Sequence, residues 1–121
     1  MVLATRSSWK VQSPPSDRQY FEFPMEFSKA DGERLKLGYI PKGGDDKWFI
    51  FFEDDWLYFH RSWTGICIYG VQLCSLSNGV RITSAWANRD RGVYNSPGLE
   101  ADIRTVHRLM HTILLARRPR Y

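Results

Sequence analysis

The chain predicts an α+β fold: an antiparallel β-meander sheet of four to six strands, with one C-terminal amphipathic helix packed across one face. Three observations predict it. Between residues 47 and 87, four runs of β-branched and aromatic residues are joined by connections too short for parallel crossovers. The last third carries an apolar stripe at helical spacing. A length of 121 residues suits one domain with a single core.

Residues 1–18 read as an extended N-terminal arm. Ser13-Pro14-Pro15-Ser16 fits neither a helix nor a central strand, while Trp9-Lys10-Val11-Gln12 could add an edge strand. "YFEFPMEF" (20–27) alternates around a proline, as an edge strand or a bend would. Residues 28–46, "SKADGERLKLGYIPKGGDD", admit either a helical turn from Ser28 or a hairpin around Asp31-Gly32. Leu35, Leu37 and Tyr39 alternate with Lys36 and Gly38, which favours the hairpin. Residues 41–46 are a loop.

The meander follows. "KWFIFFE" (47–53) is a strand, Asp54-Asp55 a tight turn, and "WLYFHRSW" (56–63) a second strand. Thr64-Gly65 can turn or bulge before a third, "ICIYGVQLCSL" (66–76). Asn78-Gly79 favours a type I′ hairpin into a fourth, "VRITSAWA" (80–87). After the loop "NRDRGVYN", Ser96 can cap a helix and Pro97 suits its first position, with Glu100 and Asp102 near its positive end. Leu99, Ile103, Val106, Met110, Ile113 and Leu114 form the stripe that must lie on the sheet, and Leu109 widens it. The expected organisation is therefore the arm (1–18), a single α+β domain (19–116) and a basic C-terminal tail (117–121).

Aromatic residues make up 15% of the chain, more than a small core can hide, so some should line a groove or an interface. There is no apolar run long enough to span a membrane, and residues 1–12 lack the apolar core of a signal peptide; the expectation is a cytoplasmic protein without membrane contact. Cys67 and Cys74 have neither the number nor the spacing of a disulfide framework or zinc site, and read as small core or semi-core thiols. Charge is uneven. Acids and bases cancel over residues 1–88, so the net +4 comes from 89–121, where every cation is an arginine. Arginine forks onto phosphate and carboxylate as lysine does not.

The candidate site lies in "WLYFHRSW". Strand alternation sets Leu57, Phe59, Arg61 and Trp63 on one side, with Arg61 where the core ends, and Trp56, Tyr58, His60 and Ser62 on the other. Trp86 could join either. Trp56, Tyr58 or Trp63 would stack a ring, and His60 with Arg61, helped by Arg104 and Arg108 of the helix, would hold an anion. The bland alternative is an amphipathic sheet face covered by the arm or by a second subunit. His107 and His111 share a helix face, but "HRLMH" lacks the glutamate of HExxH, so no metal and no cofactor is expected. No nucleophile motif is present, and Glu53, Asp54 and Asp55 read as a solvated hairpin tip.

The segment "KWFIFFEDDWLYFHRSWTGICIY" resembles a family of small, largely uncharacterised bacterial proteins with a K/R-W-F-I…E-D…W-L-Y-F-H-R-S-W-T-G core. Some members are named by association with ADP-ribosylglycohydrolases. The likeness covers roughly residues 39–70, about a quarter of the chain. The acidic metal-binding motifs of true ADP-ribosylglycohydrolases are lacking, and the chain is far too short for their all-helical fold. The resemblance implies an ADP-ribose or NAD context and singles out Trp56, His60, Arg61 and Trp63.

The expected function is a small binding protein that uses an aromatic-basic face for an anionic, nucleotide-like ligand. Three alternatives stand beside it. One is a protein-interaction factor (an inhibitor, an immunity protein, a complex subunit or a homodimer) with no small ligand. Another is a nucleic-acid-binding module, ranked lower because no RNP-type motif occurs and the acidic tip would repel a backbone. The last is a small enzyme on ADP-ribosyl groups, with His60 as acid–base.

Overall fold

The computed structural model describes residues 2–116, so the basic tail expected at 117–121 lies outside the described residues. The strands are β1 (Arg18–Phe21), β2 (Glu26–Ser28), β3 (Trp48–Glu53), β4 (Trp56–Arg61), β5 (Cys67–Leu76) and β6 (Gly79–Asn88). They form one antiparallel sheet in the order β1-β6-β5-β4-β3, with β2 also on β6. The predicted α+β class and meander are therefore present. β1 and β2 are successive parts of one edge, interrupted at Pro24 because proline brings no N–H to a ladder.

Three layers result. The helix α2 (Leu99–Leu109) and the π-helical turn that continues it (Met110–Leu115) cover one sheet face. Val106, Leu109, Met110 and Leu114 are fully buried there against Leu57, Phe59, Val71 and Ala85. The arm covers part of the other face, where Ala4, Trp9 and Val11 pack on Phe49, Phe51 and Tyr58. The arm adds no strand at 9–12; its one short helical turn is Arg6–Ser8. Arg6 also forms an ion pair with Glu53, at the tip read from sequence as solvated.

Four local expectations are corrected. The hairpin at Asp31-Gly32 is instead a helix, α1 (Lys29–Leu37), capped by the Ser28 hydroxyl, which accepts from the Asp31 N–H at 3.1 Å. Gly32 makes no turn. It lets α1 lie close on β6, since a Cβ there would sit 2.9 Å from Val80 Cγ1. The β5–β6 hairpin exists, but neither Asn78 nor Gly79 has a positive φ; the residues that do are Asp54 and Asp55, in the β3–β4 turn. Gly79 is instead needed because a Cβ would meet the Phe27 carbonyl oxygen at 2.1 Å.

At α2 the helix begins at Leu99 after Gly98, whose φ of 121° no helix accepts, so Ser96 is not its cap. Finally, only one cysteine is in the core. Cys67 is buried, which pushes its thiol up to about 12, whereas Cys74 is exposed.

Candidate functional site

The β3–β4 ladder ends on the pair Trp48–Arg61. Period-2 alternation points Leu57, Phe59 and then Arg61 toward the helix face, and Arg61 is the residue at which that core stops. Its guanidinium lies 4.8 Å from the centroid of the Trp48 ring, a cation–π contact. Trp48 stacks on Tyr69, with ring centroids 5.8 Å apart. The Tyr69 hydroxyl donates to Asp102 Oδ1 at 2.8 Å. A buried carboxylate in the helix thus anchors a stack whose outer member is a cation.

This rung lines a cleft between the sheet and α2. One hollow, of about 550 Å³, is walled by Trp63, Ile66, Ile68 and Val93. A second, of about 460 Å³, is walled by Trp48, Tyr69, Thr105 and Arg108. Both include Lys47, Arg61, Tyr94 and Asn95, so they adjoin. Lys47, Arg61 and Arg108 have no ion-pair partner among the described residues. Two carboxylates oppose them. Asp45 stands exposed at the rim. Asp46 is held by the Tyr39 hydroxyl at 2.6 Å and the Lys42 N–H at 2.7 Å, and these two donors, the hydroxyl foremost, keep its carboxyl below the ordinary range.

Asp102 is the centre that sequence reasoning missed. Its side chain is wholly buried and accepts from Tyr69 at 2.8 Å, Tyr94 at 2.5 Å, Ser96 at 2.6 Å and Arg89 at 2.9 Å. Burial by itself would raise this carboxyl, but the donors outweigh burial and hold it below the ordinary range. Burial, with the carboxylate behind it, pushes both tyrosines up, so both keep their protons. One sequence signal marks Asp102: it lies four residues before Val106 and three after Leu99, on the apolar stripe itself.

The rim is held by the arm. Successive carbonyls from Ser62 to Gly65 accept from Trp9 Nε1 (2.7 Å), Lys10 Nζ (2.8 Å), Gln12 Nε2 (2.9 Å) and the Gln12 N–H (2.8 Å). Trp63, at 70% exposure, stands on that loop, and its indole N–H donates to the Gly44 carbonyl at 3.1 Å.

The residues expected to bind a ligand together are divided by the sheet. Arg61, Trp63 and Arg108 line the cleft. Arg104 is exposed on α2 outside both hollows. Trp56, Tyr58 and His60 face the opposite side, as their alternation with Arg61 required. Trp56 stacks on Tyr58 at 6.5 Å and leans on Trp86, over which Arg18 lies at 4.6 Å. His60 is 2% exposed, stacked on Phe51 at 5.4 Å. Burial pulls its imidazole down to about 4; backbone groups of Gln12 and Tyr58 favour the charged ring and are outweighed, and Nδ1 has no hydrogen-bond partner. A sealed ring on this face does not reach a ligand in the cleft.

His107 and His111 stack on each other at 4.3 Å beside Phe23 and Phe27. Among the described residues, no group of three or more His, Cys, Asp or Glu is placed to hold a metal ion, and no helix is long and apolar enough to cross a membrane. No protein-family model, curated protein or solved structure matches the chain.

Proposed function

We propose that the cleft between the sheet end and α2 binds a small anionic, ring-bearing ligand of the nucleotide type. The observation that carries this reading is Arg61, without an ion-pair partner among the described residues, in cation–π contact with Trp48 and shared by both hollows, with Lys47 and Arg108 beside it. A guanidinium that has no ion-pair partner among the described residues, and that already lies over an aromatic ring, gives up little freedom when it bonds a phosphate. Trp63 offers an exposed ring face for stacking in the first hollow. The hollows have the size of small-molecule sites. Arg61 and Trp63 also belong to the string that resembles the bacterial family, which supports ADP-ribose or NAD as the first ligands to try. The role of ring-stacking residue thereby passes from Trp56 and Tyr58 to Trp63.

The test is calorimetric titration with ADP-ribose, NAD and ATP at two salt concentrations. A charge-assisted contact is worth enough that Arg61→Ala should weaken binding roughly tenfold or more. Equal binding by wild type and Arg61→Ala, or no binding by any of the three, overturns the reading. A second reading, a protein partner, draws on one observation: Trp63 and Val93 are 70% and 45% exposed at the mouth of the same cleft. It predicts a complex whose affinity falls with Trp63→Ala while the nucleotides do not compete.

A further inference from the structure

The second hollow has a peculiarity that charge alone does not explain. Three of the residues that line it carry hydroxyls: Tyr69, Tyr94 and Thr105. None has a proton to offer. Thr105 Oγ1 donates back to the Ala101 carbonyl at 3.0 Å within α2. Tyr69 and Tyr94 each reach Asp102 Oδ1, at 2.8 Å and 2.5 Å, and their oxygens also lie 3.0 Å from each other. Asp102 is an ionised carboxylate that takes two further hydrogen bonds, from Ser96 and Arg89 on Oδ2, so it supplies no proton. Three contacts around the tyrosines must therefore be met by two protons. However these are assigned, the two phenol oxygens, 3.0 Å apart, keep unmatched lone pairs on residues that line the hollow. Asp45 at the rim is a further acceptor.

A bare phosphate or carboxylate would find only repulsion at these oxygens. It is drawn instead to Lys47 and Arg61, which both hollows share, and to Arg108 on the helix wall.

We infer that the ligand of this cleft carries hydroxyl donors beside its anionic group, its ribose or polyol end lying in the second hollow and donating to the oxygens of Tyr94 and Thr105. The inference rests on the cleft reading above and narrows it. The ring would lie by Trp63 in the first hollow, the phosphate at the shared cations, and the hydroxyls against the acceptors. Because the acceptors are fixed through Asp102 and the helix backbone, they cannot rotate to become donors, and the site discriminates against ligands that lack hydroxyls.

The experiment compares ADP with 2′,3′-dideoxy-ADP on the full chain by calorimetric titration. The two share ring and charge and differ only in the ribose hydroxyls. ADP should bind about five- to tenfold more tightly, the worth of a hydrogen bond or two that also spares buried acceptors from desolvation. In Tyr94→Phe the ratio should fall to about twofold or less. Should that variant fail to melt cooperatively, Thr105→Val removes a different acceptor without touching Asp102 and should lower the ratio as well. Equal affinity of the wild type for the two nucleotides overturns this inference and leaves the cleft reading standing. A ratio that survives both substitutions also overturns it, since the hydroxyls would then be met elsewhere. If neither nucleotide binds, the cleft reading falls and this inference with it.

Discussion

Acidification should destabilise the protein well before its carboxylates are protonated, because of one histidine. His60 is 2% exposed, lies against Phe51 and Phe49 beneath the arm, and has an Nδ1 without a hydrogen-bond partner. In the unfolded chain its pKa returns to the ordinary 6.5, whereas burial lowers it to about 4 in the fold. The folded pKa is the lower one, so the unfolded state binds the proton more readily, and stability must fall as pH falls. The stability due to the neutral ring is fully present above pH 6.5, declines from there, and is gone below about pH 4. At ~1.4 kcal/mol for each pH unit between the two values, the whole effect is ~3 kcal/mol, of which ~2 kcal/mol is lost by pH 5. That interval precedes most carboxylate titration.

Urea denaturation of wild type and His60→Phe at intervals from pH 8 to pH 5 measures it. The wild type should lose ~2 kcal/mol across the range, and the variant, which keeps a planar apolar ring there, should lose much less. Parallel curves for the two proteins would refute the account, because the proton would then be taken up elsewhere. So would a wild type whose stability is flat between pH 7 and pH 5, since a ring that charges without penalty is not sealed.

Other outcomes follow from the same structure. Asp102→Ala strands the hydroxyls of Tyr69, Tyr94 and Ser96 and leaves Arg89 without its ion pair, and should cost about 3 kcal/mol, read as a lower urea midpoint. The partial exposure of Arg89 keeps the figure from being larger. Deleting residues 1–12 removes the donors to the carbonyls of Ser62 to Gly65 and uncovers Phe49 and Phe51. Hydrogen exchange at the amides of Ser62 and Gly65 should then accelerate more than at those of β5, and nucleotide affinity should weaken as Trp63 loses its fixed place. Exchange unchanged at those amides would show that the loop holds itself.

How far the site was legible depended on which residues sit in regular alternation. β4 announced its two faces, and Arg61 was identified where its core ends, because a strand's side-chain period is set by the backbone alone. Arg108 and Trp63 were also named from sequence. Lys47, Trp48, Tyr94 and Asn95 were not, because nothing in "KWFI" or "GVYN" says that these segments meet. They meet only because the β3–β4 ladder ends at Trp48–Arg61 and α2 is laid over that end. α1 was missed for another reason: its stretch is mostly polar, with little helical periodicity, and Gly32 resembles a turn residue until Val80 is seen against it.

By itself, the sequence determined the class: local periodicity and short connections permit an antiparallel meander with a helix on it and little else. It also set out the two faces of β4, although His60 and Arg61, on opposite faces, were expected to hold one anion together. Only the tertiary structure decided which face is sealed and which end is open. That choice turns on long-range packing: the arm crossing to the 62–65 loop, and α2 anchored by Asp102 over Tyr69. Burial and hydrogen-bond satisfaction are properties of the assembled chain. An aspartate in the first turn of a helix therefore looked like a dipole partner and proved to be the centre on which the cleft is built.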